Sequence, residues 1–360
     1  MAEQPVAGAL TTEPLGPIAE LRKPWTELAQ HSGNVFSTWE WATAWMGHLG
    51  KDERPAVLGC RDPDGRLVAI LPLCVDYERP LKVVRLIGHG PADELGPICA
   101  REHMSAAVEA LVGRLAERSE RSTVFLAERL SDSYDWHRTL RGVELGREPS
   151  PIVEVAGQDW DGYLAARSSN FRSQVRRKER KLIREHGLAY RLCDDPDRLV
   201  DDMRSLFALH RSRWGPGGSD VFTGPLGEFH QEFAALALER GWLRLWLAEA
   251  DGRPVAGWYG FRYGGDEWFY QSGRDPEWEE RSVGSVLLAH TLREAIGDGV
   301  ARYRLLRGGE SYKDRFKTGG GDVVTLVRAR GPVGRVVTGA SRAALRLPPP
   351  FKRLVTARVG

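Results

Sequence analysis

The sequence predicts an α/β protein of two tandem halves built on one supersecondary plan, of which only the second keeps an anion-binding turn. Three observations carry this. First, Asp64-Gly65-Arg66-Leu67-Val68-Ala69 recurs as Asp251-Gly252-Arg253-Pro254-Val255-Ala256, identical at five of six positions and 187 residues further along, about half of the 360-residue chain. Each copy lies between two apolar runs and reads as a hairpin turn. Second, an aromatic strand at 268–272, a charged loop, and the helical spacing of Val283, Leu287, Leu288, Leu292, Ala295 and Ile296 give strand, turn and helix in succession. Third, the length exceeds one average domain, and 42% hydrophobic with 28% charged residues describes a folded chain, not a disordered one.

Taken in order, residues 1–16 are expected to be a mobile tail. Ile18, Leu21, Trp25 and Leu28 predict an amphipathic helix, and 38–49 a second whose Trp39, Trp41 and Trp45 pack between layers. Strands follow at 56–60 and 67–73, joined by Asp62-Pro63-Asp64-Gly65. The loop 88–96 is glycine-rich, but Pro91 removes a donor N–H and Asp93 and Glu94 add negative charge, so it is no phosphate turn. It reads as a cleft loop with His89, Asp93 and Glu94 as substrate-side candidates. A helix at 103–117 and a strand at 123–127 complete this half. Gly146, Pro149 and Pro151 mark the boundary, giving domains 17–150 and 151–330.

The second half opens with a helix at 160–167. Next comes a helix capped by Ser168 and closed by Gly187, with Phe171, Val175 and Leu182 as a narrow apolar stripe. Its other face is basic: Arg172, Arg176, Arg177, Lys178, Arg180 and Lys181. Three readings compete there: a solvated charged face, a collar for the phosphates of an acyl carrier, or a tRNA contact. Helix 199–214 turns His210 inward, and 214–219 is a glycine-rich loop able to cover substrate. Helix 226–240 precedes a meander of strands at 242–249, 255–261 and 268–272. Gly297 and Gly299 stop the helix that begins at Val283, and 303–306 is the next strand. Residues 331–360 hold six Arg or Lys and no acid, a basic tail in which 335–345 could touch an anionic membrane surface.

Four cysteines, Cys60, Cys74, Cys99 and Cys193, show no CxxC spacing, which argues against a disulfide framework or a metal site and for buried thiols. A net charge of +2 gives no general pull on DNA. The first residues lack a basic start with an apolar core, so a cytoplasmic protein is expected.

The chemistry concentrates between 268 and 316. The first N–H groups of a helix lack intrahelical partners and sit at the positive end of its dipole. A turn carrying Gly284 and Ser285 there lets a pyrophosphate approach them. After the next strand comes Leu306-Arg307-Gly308-Gly309-Glu310-Ser311-Tyr312-Lys313-Asp314-Arg315-Phe316, which puts a Tyr and a Lys on a short helix beside that turn. These residues resemble the GNAT acyltransferases, whose pyrophosphate loop reads (Q/R)xxGx(G/A) and whose later helix carries a Tyr shortly before a Phe. More narrowly, YQSG-x-DP and LRG-x-E-x-YK-x-x-F resemble a branch associated with bacterial cellulose synthesis. The basic helix also resembles one in the Fem-type aminoacyl-tRNA-dependent peptidyltransferases.

The resemblance implies tandem GNAT-like domains, each a mixed, mostly antiparallel sheet flanked by helices, the first copy degenerate. It implies acetyl-CoA or another acyl-CoA as co-substrate, held by Arg281, Ser282, Val283, Gly284, Ser285, Val286 and Gln271, with no metal. Val286 departs from the pattern, and a branched side chain facing the turn would crowd a pyrophosphate. Tyr312 would protonate the leaving thiolate and Glu310 or Asp275 would act as base, while His210, Arg213, Trp214 and Lys313 would contact substrate. The acceptor would be a small-molecule or glycan amine that attacks the thioester directly. No Ser-His-Asp or Cys-His pairing is legible, which agrees with direct attack. A Fem-like transferase using charged tRNA, or a non-catalytic module of a polysaccharide-synthesis assembly, are the alternatives.

Overall fold

The computed structural model describes residues 10–76, 82–115, 123–214, 221–329, 336 and 339. The expected helix at 335–345 and most of the loop 214–219 therefore lie outside the described residues. The chain divides into two compact units, residues 149–320 and residues 1–148 with 321–360.

In the first unit, β1 (Thr11–Pro14), β3 (Leu58–Arg61), β4 (Leu67–Leu71) and β7 (Ile98–Cys99) form one sheet in the order β1-β3-β4-β7. A second sheet runs through β2 (Arg54–Pro55), β5 (Leu73–Asp76), β6 (Lys82–Leu86), β8 (Thr123–Ser131) and the 321–329 part of β15 (Gly319–Ala329). Residues 11–14 are thus not a mobile tail: they pair with β3 from Thr11↔Arg61 to Pro14↔Leu58, because that strand edge would otherwise leave its backbone groups unpaired. The helices are α1 (Arg22–Ser32), α2 (Trp39–His48), α3 (Met104–Arg114) and α4 (Trp136–Leu140). Thr38 caps α2 by accepting the Trp41 amide, and Trp41 and Trp45 are fully buried, as their spacing predicts. Truncating either indole to Ala would cost about 3–5 kcal/mol.

In the second unit, β9 (Val143–Glu154) enters from the first. The sheet order is β10 (Ala189–Leu192), β11 (Leu243–Ala250), β12 (Arg253–Tyr263), β13 (Asp266–Arg274), β14 (Arg302–Arg304), then the 149–154 part of β9. The expected boundary around Pro149 and Pro151 lies within this strand. Both prolines serve as acceptors only, Pro149 taking the Gly308 amide and Pro151 the Leu305 amide, so their missing N–H groups cost nothing here. Helices α5 (Trp160–Ala165), α6 (Ser169–His186), α7 (Pro196–Trp214), α8 (Gly224–Glu239), α9 (Val283–Gly297) and α10 (Ser311–Phe316) complete the unit. Ser168 caps α6 through the Phe171 amide, and Gly187 closes it at φ 58°.

The repeat in the sequence has a counterpart in each unit's topology. Both DG copies are hairpin turns, joining β3 to β4 and β11 to β12. In the first unit β5 pairs antiparallel with β6, which pairs parallel with β8 across α3. In the second, β12 pairs antiparallel with β13, which pairs parallel with β14 across α9. The loops before the two crossover helices differ. In the first unit the Arg129 guanidinium donates to the carbonyls of Gly90 and Ala92, and the Trp41 indole lies where a Gly88 Cβ would stand. His89 there donates or accepts at Glu53 (2.9 Å), with Cys74 and Arg85 beside it, and Asp93 is buried. These groups tie the loop down, and none of His89, Asp93 or Glu94 lines the cavity described below.

All four cysteines are buried and unpaired. Burial pushes the thiol of Cys60 up to about 11 and those of Cys99 and Cys193 to about 12, and Cys74 is raised as well. Ellman's reagent at pH 8 should therefore find no fast-reacting thiol in the native protein and all four after denaturation. A thiol that reacts at once in the native state would contradict this burial.

Candidate functional site

A cavity of about 330 Å³ opens in the second unit, lined by residues of α7, β12, β13, α9 and α10 and by Glu279 and Ser282 before α9. Its construction begins with a glycine pair. Gly257 on β12 and Gly273 on β13 are cross-strand partners. A Cβ on Gly273 would stand 2.2 Å from the His210 amide nitrogen, and one on Gly257 would stand 2.9 Å from Leu206. Only glycine lets α7 lie this close to the sheet, and that approach brings Arg213 over β13, where its Nη1 donates to Ser272 Oγ at 2.7 Å.

The second feature is a bulge. Tyr259 pairs with Gln271 and Gly260 with Phe269, so Tyr270 is the extra residue of β13. On its other side β13 pairs with β14 only from Asp266↔Arg302 to Trp268↔Arg304, so the two parallel strands part after Trp268. The parting is where Phe269, Ser272 and Gly273 reach the cavity.

The third is the start of α9. Ser282 takes a left-handed conformation (φ 59°, ψ 34°), and its carbonyl accepts the amides of Ser285 and Val286. The amides of Val283 and Gly284, the first two of the helix, have no intrahelical carbonyl to bond. Ser282, Gly284 and Ser285 line the cavity, whereas Val286 is 3% exposed and packs into the core with Val283 and Leu292. The branched side chain that departs from the loop pattern thus points away from the turn.

The remaining expected residues divide. Tyr312 lines the cavity and is hydrogen-bonded by Arg213; burial, reinforced by the Glu310 carboxylate, holds its phenol well above the ordinary value. Gln271 does not line it but bonds the buried His210 imidazole, whose pKa burial lowers to about 4. Arg281 folds back over the Trp278 ring and donates to the Glu277 carbonyl. Asp275 is held by Arg253 at 2.7 Å and caps the turn that follows through the Glu277 amide. Lys313 is buried, its ammonium taken by the carbonyls of Leu306 and Arg307 and by Glu310, so Lys313 and Glu310 fasten the 306–310 loop and do not line the cavity. Trp214 ends α7; its side chain lies outside the described residues.

Lining residues that escaped the sequence reading include Trp258, Ser272, Arg274 and Glu279. Lys178, on the basic face of α6 for which a phosphate collar was one of three readings, donates through Nζ to Ser282 Oγ at 2.8 Å. The paired glycines in Ala256-Gly257-Trp258 and Gln271-Ser272-Gly273 were the available signal, since two opposed glycines in a meander mark a close backbone approach.

The second unit is thus a mixed sheet whose parallel strands part beside a helix N-terminus. Residues 169–314 match the acetyltransferase (GNAT) domain family. Among solved structures, FemX is similar with a TM-score of 0.59 at 10% identity, over 87% of this chain and 96% of that one. The C-terminal domain of a putative lysylphosphatidylglycerol synthetase from Agrobacterium fabrum gives 0.57 at 11%, over 91% and 98%. L-PGS from Bacillus licheniformis gives 0.55 at 14%, over 92% and 97%. At such identities the likeness is one of fold. No curated protein matches the sequence. Among the described residues, no helix is long and apolar enough to cross a membrane.

Proposed function

We propose that the chain is an acyl-CoA-dependent N-acyltransferase, acting by direct attack of an amine on the thioester. The observation that carries this reading is the open start of α9: Ser282, Gly284 and Ser285 line a cavity of about 330 Å³ while Val286 is turned into the core. That volume is at the small end of ligand pockets, as suits the pantetheine end of a donor whose phosphates stay at the rim. The amides of Val283 and Gly284 and the helix dipole favour a pyrophosphate there.

From that anchor the thioester would lie along β13, where the Tyr270 bulge and the parting from β14 leave backbone groups free to meet a developing oxyanion. Trp258, Phe269, Leu287 and Leu288 give the acyl end an apolar floor. Tyr312, kept protonated by its burial, gives its proton to the departing thiolate, and Arg213 steadies the phenolate that results. Glu279, the one acid among the lining residues, attracts the acceptor ammonium and takes its proton through water; it is ion-paired with Arg274. Tyr312→Phe should lower kcat by about 10²-fold or more with little change in KM for the donor. Steady-state assay of thiol release checks this, and an unchanged kcat would remove Tyr312 from the reaction.

A Fem-like transferase using charged tRNA is the second reading. The basic face of α6 and the fold likeness to FemX favour it. Binding of acetyl-CoA, set against salt-sensitive binding of charged tRNA, separates the two.

A further inference from the structure

Many cations of the second unit are paired with acids. Arg176 meets Asp161, Lys181 and Arg184 meet Glu185, Arg293 meets Glu179, and Lys317 meets Asp314. Three cations gather at the start of α9 without an acid among them. Lys178 reaches from α6 to Ser282, which lines the cavity, and a neutral hydroxyl is its acceptor there. Arg315 stands one turn beyond Tyr312 on α10, is exposed, and is near enough to act on the Lys178 ammonium. Arg177 adjoins Lys178 on α6. Among the described residues no ion pair joins any of the three to an acid, and both arginines act on Lys178, adding to burial in weakening its protonation.

Like charges gathered without a counter-ion repel, and the arrangement is stabilised when an anion fills the space between them. The two phosphates of a pyrophosphate diester are already met by the first amides of α9 and the helix dipole. Three further cations suit a separate group of about two negative charges, which is what a phosphomonoester carries.

Resting on the acyl-CoA reading above, we propose that Lys178, Arg177 and Arg315 hold the phosphomonoester on the ribose of the donor, so that the protein distinguishes CoA from dephospho-CoA. The two molecules share the pyrophosphate and the pantetheine, so every contact with the turn and the cavity is common to both. The difference in affinity reports the three cations alone.

The test is calorimetric titration of the full chain with CoA and with dephospho-CoA. CoA should bind about tenfold or more the tighter. Arg177→Ala with Arg315→Ala, both exposed side chains whose removal should leave the thermal midpoint unchanged, should remove most of that preference and leave dephospho-CoA binding within about twofold of wild type. Lys178→Ala should weaken CoA further. Equal affinity of the wild-type chain for the two ligands would overturn the phosphomonoester site while sparing the donor reading. Failure of both to bind would overturn the donor reading, and this proposal with it. Equal or absent preference combined with tRNA binding that the same variants weaken would reassign the three cations to a nucleic-acid backbone.

Discussion

Gly284→Asp is expected to reduce acyl-CoA affinity by about 100-fold or more while leaving the folded state as stable as wild type. The two halves of that expectation have separate causes. A Cβ on Gly284 would meet nothing nearer than Arg274 Cδ at 3.6 Å, an ordinary contact, and the backbone there has no positive φ, so the protein itself does not require glycine. Position 284 is the second residue of α9, where an acidic side chain complements the helix dipole and glycine is a poor helix former. Stability should therefore hold or rise slightly. Binding should not: the new carboxylate would stand where the pyrophosphate is proposed to lie, and juxtaposed like charges cost several kcal/mol. Gly284→Ala should fall between, keeping the helix gain and adding only bulk. Parallel calorimetry and thermal unfolding check the pair, and a Gly284→Asp chain that binds donor normally would place the phosphates elsewhere.

Gly273→Ala should do the reverse and act through the fold, destabilising by about 3 kcal/mol or more. Its Cβ would lie 2.2 Å from the His210 nitrogen and 2.5 Å from the Leu209 carbonyl carbon, both backbone atoms that cannot rotate aside. Either α7 lifts off the sheet or β13 shifts against β12, and in both cases Arg213 loses Ser272 and the cavity loses a wall. Denaturant unfolding measures the loss. Gly47→Ala is the control: this exposed glycine of α2 has nothing within 4 Å of the added carbon, so the substitution should be neutral or gain up to about 1 kcal/mol.

How much of this was legible in the sequence depended on whether the signal was local. The α6 helix, with Ser168 at one end and Gly187 at the other, was readable because a cap and a left-handed stop are properties of single residues. The turn at the start of α9 and the DG hairpins were readable for the same reason. The strand Val143–Glu154 was not, because Gly146, Pro149 and Pro151 read only as a boundary until the partners that need just the proline carbonyls are known. Residues 11–14 were misread because a four-residue strand takes its conformation from the edge it covers.

The site shows the same division. Tyr312 and the 282–285 turn could be placed from motif order, but a motif does not say which way a side chain faces. Lys313 turned out to be a buried clamp on the carbonyls of Leu306 and Arg307, and Asp275 a cap paired with Arg253. Lys178 is one of seven Lys or Arg on its helix, and only the fold brings one of them to Ser282, more than a hundred residues away in sequence.

The central claim is that the start of α9 receives the phosphates of an acyl-CoA, and calorimetric titration of the full chain with acetyl-CoA tests it most directly. Saturable, equimolar binding that Gly284→Asp weakens by about 100-fold or more, in a variant whose thermal midpoint is no lower than wild type, is the expected result. No acetyl-CoA binding to the wild-type chain, alongside salt-sensitive binding of charged tRNA, would contradict it.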